Sequence, residues 1–251
     1  MFTRSHFGFA VFGTVAAGIP AISFADTIPQ PLPYSQNWAT GPAIDNVWSD
    51  VPGVTGYLGD FFPGSATSVN ADPRTFTGDD DISSVSLSVN VQPTTQTPTA
   101  ATGGNVHYFS AGSAGLNSNA TVSFQGSASG DAPFILIHVN TTGFNNISVA
   151  YNLRELDADN APQRVALLYR VGLTGGFTNV PAAYVADAAN GSALVTPVNV
   201  VLPAAADNKP DVSLRISTTN ATGTDSMIGI DDIAVSGTAL VAAASDWEYF
   251  L

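Results

Sequence analysis

The chain has 251 residues, no cysteine and a formal net charge of −13, from 20 acidic against 7 basic residues. The absence of cysteine excludes a disulfide framework, a zinc–thiolate site and a thiol nucleophile. So acidic a surface repels a polyanion such as DNA, which rules nucleic acid out as a partner of this domain alone, while divalent cations and neutral ligands such as sugars stay compatible.

In chain order, Met1–His6 is short and carries a fixed positive charge at Arg4, an apolar run follows from Phe7 to Ile22, and Ser23-Phe24-Ala25 places small residues at the −3 and −1 positions of a cleavage site. This is the three-part pattern of a secretory signal peptide over 1–25, with the mature chain starting near Asp26. The apolar run, at about 16 residues, falls short of the roughly 20 that a spanning helix needs, and no later segment is a transmembrane candidate. The expected location is secreted or extracellular, and the periplasm or the cell surface fits the same leader. About 225 residues then remain, enough for one sandwich or barrel with its own core.

Residues 26–81 are rich in Pro, Gly and aromatics. They read as the extended, loop-rich N-terminal part of the domain, with one or two edge strands. From Ser84 to Val91 apolar Val and Leu alternate with Ser and Asn, the period of a half-buried strand. Gln92–Gly104 is a polar, low-complexity loop. Strands follow at Val106–Phe109, Ala120–Gln125, Phe134–Val139, Ile147–Leu153, Gln163–Val171, Leu194–Leu202, Val212–Ser217 and Met227–Ser236, rich in residues that suit a pleated surface and separated by Gly, Pro, Asn and Asp clusters. Helical periodicity is not sustained anywhere. The predicted fold is all-β: a single antiparallel β-sandwich, jelly-roll-like, with its main body over 82–237 and a short tail over 238–251.

Several segments carry a resemblance: Trp48–Asp60 (WSDVPGVTGYLGD), Ile147–Asp157 (ISVAYNLRELD), Gln163–Gly172 (QRVALLYRVG), Leu214-Arg215-Ile216 and Gly229-Ile230-Asp231-Asp232-Ile233. Together, over about Tyr34 to Gly237, the chain resembles a β-sandwich module of secreted bacterial proteins. In those relatives the module often precedes an extracellular endonuclease/exonuclease/phosphatase-type domain or a lamin-tail domain. The fourteen residues after Gly237 hold no nuclease domain, so the resemblance implies the sandwich without that activity.

Candidate sites follow from residue chemistry. Neighbours on a strand face opposite sides, so at most one of Asp231 and Asp232 is expected to point inward, where Arg215 is the natural partner. The sharper alternative is a calcium site that recruits Asp60 and Asp225 to Asp231 and Asp232, because calcium takes six to eight oxygens. Asp79-Asp80-Asp81 reads as a solvated loop. Arg154 and Asp157 close a strand, as a charge network or as contacts to a polar ligand. Trp38, Trp48 and Tyr57 either anchor the N-terminal loops on the core or stack on a sugar ring. His107 and His138 lie in separate predicted strands, Gly-x-Ser-x-Gly is absent, and no carboxylate pair stands out for glycoside cleavage.

No catalytic constellation is complete, and the expected function is a secreted non-catalytic binding module for extracellular carbohydrate, matrix or protein. Two alternatives stand beside it: a structural or accessory component of a larger surface system, and a hydrolase on a jelly-roll scaffold.

Overall fold

A computed structural model of the chain describes residues 27–39, 48, 51–57, 59, 70–78, 90–92, 106–109, 119–126, 132–157, 161–191, 194–219 and 225–241. The predicted leader, the Gln92–Gly104 loop beyond its first residue, Asp60, Asp79–Asp81 and most of the Ser84–Val91 strand lie outside these residues.

The strands are β1 (Gln30–Pro31), β2 (Tyr34–Gln36), β3 (Val54–Tyr57), β4 (Asn90–Gln92), β5 (Val106–Phe109), β6 (Thr121–Phe124), β7 (Phe134–Asn140), β8 (Phe144–Glu155), β9 (Val165–Val171), β10 (Thr178–Asn179), β11 (Thr196–Val201), β12 (Val212–Thr218) and β13 (Ile228–Ala239). Among the described residues the only helical turns are short 3-10 turns at Pro73–Thr75, Pro181–Ala183 and Ala204–Ala206. One sheet runs β1-β7-β12-β9-β10, with β3 also on β7; the other runs β11-β8-β13-β6-β5-β4, with β2 also on β13.

The alternation that marked the strands also packs them. Along β8, Ile147, Val149, Tyr151 and Leu153 enter the core, while Ser148, Ala150, Asn152 and Arg154 face outward. From β6 to β9 each successive strand crosses to the opposite sheet, and β11, β12 and β13 do so again. The last two strands therefore insert between earlier ones, β12 between β7 and β9 and β13 between β8 and β6. This alternating connection is the jelly-roll-like sandwich expected from the sequence.

Three details differ from the expectation. The β1–β7 and β4–β5 pairings are parallel, not antiparallel. Parallel neighbours need a long connection, and about a hundred residues between β1 and β7 provide one. The N-terminal part supplies three short strands rather than one or two, and the final strand runs past Gly237 to Ala239.

The two outer faces are finished differently. Over the β7–β12–β9 face lies a second apolar cluster of Tyr57, Phe134, Leu136, Ala166, Leu168 and Phe177. Residues 70–78 fold onto it, fixed by Phe177 N–H to Thr77 O (2.7 Å), Thr219 Oγ1 to Ala71 O (2.9 Å) and Arg164 Nη1 to Asn70 O (2.7 Å). β12 is consequently buried on both faces. Over β8 and β13 the outer face stays open and polar.

Candidate functional site

The open face is shaped by a bulge in β13. Asp231 pairs with Asn152 and Ala234 pairs with Ala150, so β13 carries one residue more than β8 between those points. The extra residue is accommodated at Asp232, whose φ is +52°. At the same place β13 exchanges its second neighbour, from β6 at Ile228–Ile230 to β2 at Ile233–Val235. A bulge of this kind re-aims side chains. Ile230 and Ile233 both enter the core, and both intervening carboxylates are left to the outer face. The expectation that one aspartate faces inward toward Arg215 is therefore corrected: Arg215 sits on β12, in the opposite sheet, and the bulge suspends the period of two.

Beside the bulge lies a small open depression, lined by Asn119 and Thr121 from the β6 side, Asn152 and Arg154 from β8, and Asp231 and Asp232 from β13. Gly229 forms part of its floor. A Cβ there would stand 3.1 Å from the Leu156 methyls and from Thr121 Oγ1, so any side chain would begin to fill it. Amides on both flanks hold the carboxylates: Asn119 Nδ2 donates to Asp231 Oδ2 (2.5 Å), Asn152 Nδ2 donates to Asp232 Oδ2 (3.0 Å), and the Asp232 N–H donates to Asp231 Oδ1 (2.7 Å).

Burial pushes the Asp231 carboxyl up to about 6, and the neighbouring Asp232 charge adds to this, while the bonds from the Asp232 N–H and Asn119 oppose it. In the unfolded chain the group titrates near 3.8. Between those values the folded state binds the extra proton, so stability falls as pH rises from about 4 to 6, and ionised Asp231 costs stability at neutral pH. Asp231→Asn is expected to gain about 1 kcal/mol at pH 7.5 after allowance for solvent screening, or about 2–4 °C in Tm, and to flatten the Tm–pH curve between about pH 4 and 6. Thermal melts of both proteins across that range check it; a lower Tm for the variant at pH 7.5 contradicts it.

The other expected residues scatter. Trp38 and Trp48 are 0% exposed and Tyr57 is buried, so none offers a ring face to a sugar, and the stacking role is corrected to anchoring. Trp38 Nε1 donates to Ile230 O (2.7 Å), its ring meets Trp48 edge-on at 6.3 Å, and Tyr57 stacks on Phe134 at 4.9 Å. Asp157 is buried, with Oδ2 accepting from the Met227 N–H (2.9 Å), and so stands outside the depression. Asp225 is buried beside Gln125, beyond one end of β6, whereas Asn119 and Asp231 meet beyond the other. Of the carboxylates expected to join Asp231 and Asp232 in a calcium site, Asp225 therefore stands apart, and Asp60 lies outside the described residues. Among the described residues no three His, Asp or Glu side chains gather as a metal site. His107 and His138 belong to opposite sheets. Of the expected ligand contacts, Arg154 alone lies in the depression, together with the two aspartates.

Asn119, Thr121, Asn152 and Gly229 were not singled out from sequence. Asn152 carried a signal, its place two residues before Arg154 on the outward register of β8. Asn119 and Thr121 carried none, since they arrive through the pairing of β6 with β13.

No family model and no curated protein sequence matches the chain. Solved structures with a partial likeness include the xylan-binding module CBM15 (10% identity, 58% of this chain and 90% of that one, TM-score 0.37). TmCBM61, in complex with β-1,4-galactotriose, is 12% identical over 48% of this chain and 72% of its own, with TM-score 0.32. The K3 cleaved adhesin domain of Lys-gingipain from Porphyromonas gingivalis is 18% identical over 49% of this chain and 78% of its own, with TM-score 0.32.

Proposed function

We propose that this is an exported, non-catalytic carbohydrate-binding module whose site is the depression over Gly229 on the outer face of β6, β13 and β8. The observation that carries this reading is the depression itself: fixed donors and acceptors on paired strands, on an outer sheet face that the described residues leave exposed. A sugar hydroxyl both donates and accepts. Asp231 and Asp232 supply acceptors, Arg154 supplies donors, and Asn119, Asn152 and Thr121 supply both. Leu156 and Val195 border the polar groups with the apolar surface on which the C–H faces of a sugar ring rest. The leader-like residues 1–25 support export, and among the described residues no helix is long and apolar enough to cross a membrane.

The carboxylates also favour binding over cleavage. Glycoside hydrolysis needs two carboxyl groups facing each other across the scissile bond. Asp231 and Asp232 are neighbours on one strand, each engaged by an asparagine amide.

Affinity electrophoresis in gels containing soluble polysaccharides, followed by a glycan array, tests the reading. One or more glycans should retard the protein. Arg154→Ala should weaken that binding at least tenfold, the loss of a charged hydrogen bond or more, with Tm changed by less than about 2 °C. Absence of retardation by every glycan, or full retention by the variant, defeats the proposal.

A further inference from the structure

We infer that the ligand of the outer-face depression is an amino-sugar glycan, with a free primary amine bound as an ammonium group at Asp231 and Asp232. This rests on the glycan-binding reading of that depression and names the substrate class it takes.

The depression has two ends. β13 pairs with β8 so that Gly229 lies beside Arg154 and Asp231 lies beside Asn152. Two residues along a strand span about 7 Å, so Arg154 and Asp231 belong to positions one such span apart. At the carboxylate end the side chains form one connected network. Asn119 Nδ2 donates to Asp231 Oδ2, the Asp232 N–H donates to Asp231 Oδ1, and Asn152 Nδ2 donates to Asp232 Oδ2. The bulge is what leaves both carboxylates on this face, since on a regular strand neighbours point to opposite sides.

That end is rich in acceptors and poor in donors. An ionised carboxylate only accepts, so the amide nitrogens of Asn119 and Asn152 face it, and each Oδ1 is left as a further acceptor. Among the described residues no ion pair reaches Asp231 or Asp232. Burial and the Asp232 charge both raise the Asp231 carboxyl, and what lowers it is hydrogen bonding from Asn119 and the Asp232 N–H, with no basic group taking part. Two like charges side by side, one of them partly withdrawn from water, are held at a cost that a ligand cation removes. A sugar hydroxyl brings a single donor and lone pairs of its own. An ammonium brings three donors, no acceptor and the opposite charge. Arg154 then selects a glycan over a lysine side chain, because a sugar carries oxygens beyond its amine to accept from the guanidinium and a lysine stem carries none. Acidic glycans are disfavoured by the same carboxylates and by the net charge of −13.

The test is calorimetric titration at about pH 6.5 with a tetramer of β-linked glucosamine, with its fully N-acetylated counterpart and with tetralysine. The two sugars differ only in whether the nitrogen is an ammonium or an amide. The free-amine sugar should bind at least tenfold more tightly than the acetylated one, the worth of a charged hydrogen bond, and at least tenfold more tightly than tetralysine. An Asp231→Asn, Asp232→Asn double variant removes two of the 20 acidic residues, so the long-range attraction of the surface for a cation persists. It should nevertheless reduce the preference between the two sugars to less than about threefold. A second readout needs no variant. In the wild type the preference should weaken several-fold from about pH 6.5 to 5, as Asp231 takes up a proton, although the amine itself gains charge in that direction. The other charged groups facing the depression are Asp232, beside it, and Arg154 from β8. Equal affinity for the two sugars, no binding of the free-amine sugar, a preference that survives the double variant or grows toward pH 5, or tetralysine binding as tightly as the amino sugar overturns the inference. The glycan-binding reading fails separately, when no glycan of any kind is bound. Neutral glycans held by the wild type and lost in Arg154→Ala would keep that reading while the amine preference fell.

Discussion

Trp48→Ala is expected to destabilise the protein by about 3–5 kcal/mol, the range for emptying a fully buried large aromatic site. In a domain of this size the Tm then falls by on the order of 10 °C. The indole is enclosed by its own neighbourhood: a Cβ on Gly56 would lie 2.2 Å from its ring, so β3 keeps a glycine where Trp48 crosses it. Gly56→Ala should therefore be costly for the same reason, by overpacking rather than by a cavity. Trp38 adds a consequence for the site. Its Nε1 holds Ile230 O from the core side while Thr121 Oγ1 reaches the same carbonyl (3.1 Å), so the strand is braced immediately before the bulge. Trp38→Phe keeps most of the apolar volume and removes that bond, and should loosen glycan binding several-fold without the large loss of Tm seen for Trp48→Ala. Melting curves and gel retardation, measured well below the lowest Tm, separate the two effects. If Trp48→Ala melts like the wild type but no longer binds glycan, the ring stacks on ligand and is not a core anchor.

The same residues show where a sequence stops informing. From β5 onward the longer strands are readable either because one face is buried and apolar residues recur at every second position, as in β8 and β11, or because a short, nearly continuous apolar run is bounded by turn residues, as in β7 and β9; the two-residue β10 carries no such signal. The tryptophans were ambiguous because an aromatic cluster has the same composition whether it plugs a core or lines a groove; only burial decides. The bulge was hidden more deeply. A left-handed residue is usually announced by glycine, but here the position is Asp232, and the alternation Ile230–Asp231 followed by Asp232–Ile233 reads as two strands out of phase. Arg154 was found because it ends the outward register of β8. Its companions Asn119 and Thr121 depend on which strand lies beside β13, and non-local pairing leaves no local trace. The assignment of Arg215 to an aspartate failed for a related reason. β12 and β13 are consecutive in sequence, yet in this topology consecutive strands cross to opposite sheets.

Arg215→Lys is expected to cost about 2–4 kcal/mol although charge is conserved. The guanidinium lies 3.8 Å from the Phe177 ring centroid and 4.6 Å from that of Phe134, and Nη1 donates to Phe76 O (3.0 Å) and Gly78 O (3.1 Å). It is fully buried, so its planar group ties residues 76–78 down while stacking between two rings. An ammonium on a flexible stem keeps a point charge but loses the flat contact and the spread of donors that lets one group do both. Arg215→Met, which keeps volume without donors, should be at least as destabilising, since the buried Phe76 carbonyl and the Gly78 carbonyl lose their donor. Denaturant midpoints at constant m-value measure both. A double-mutant cycle with Asp231→Asn locates the partner: groups on outer faces of opposite sheets should be additive within about 0.5 kcal/mol, whereas a direct ion pair would show coupling well above that. Additivity, with Arg215→Lys still costly, places the role of Arg215 in closing the far face of the sandwich, under residues 76–78, and apart from the β8–β13 face that carries the proposed glycan site.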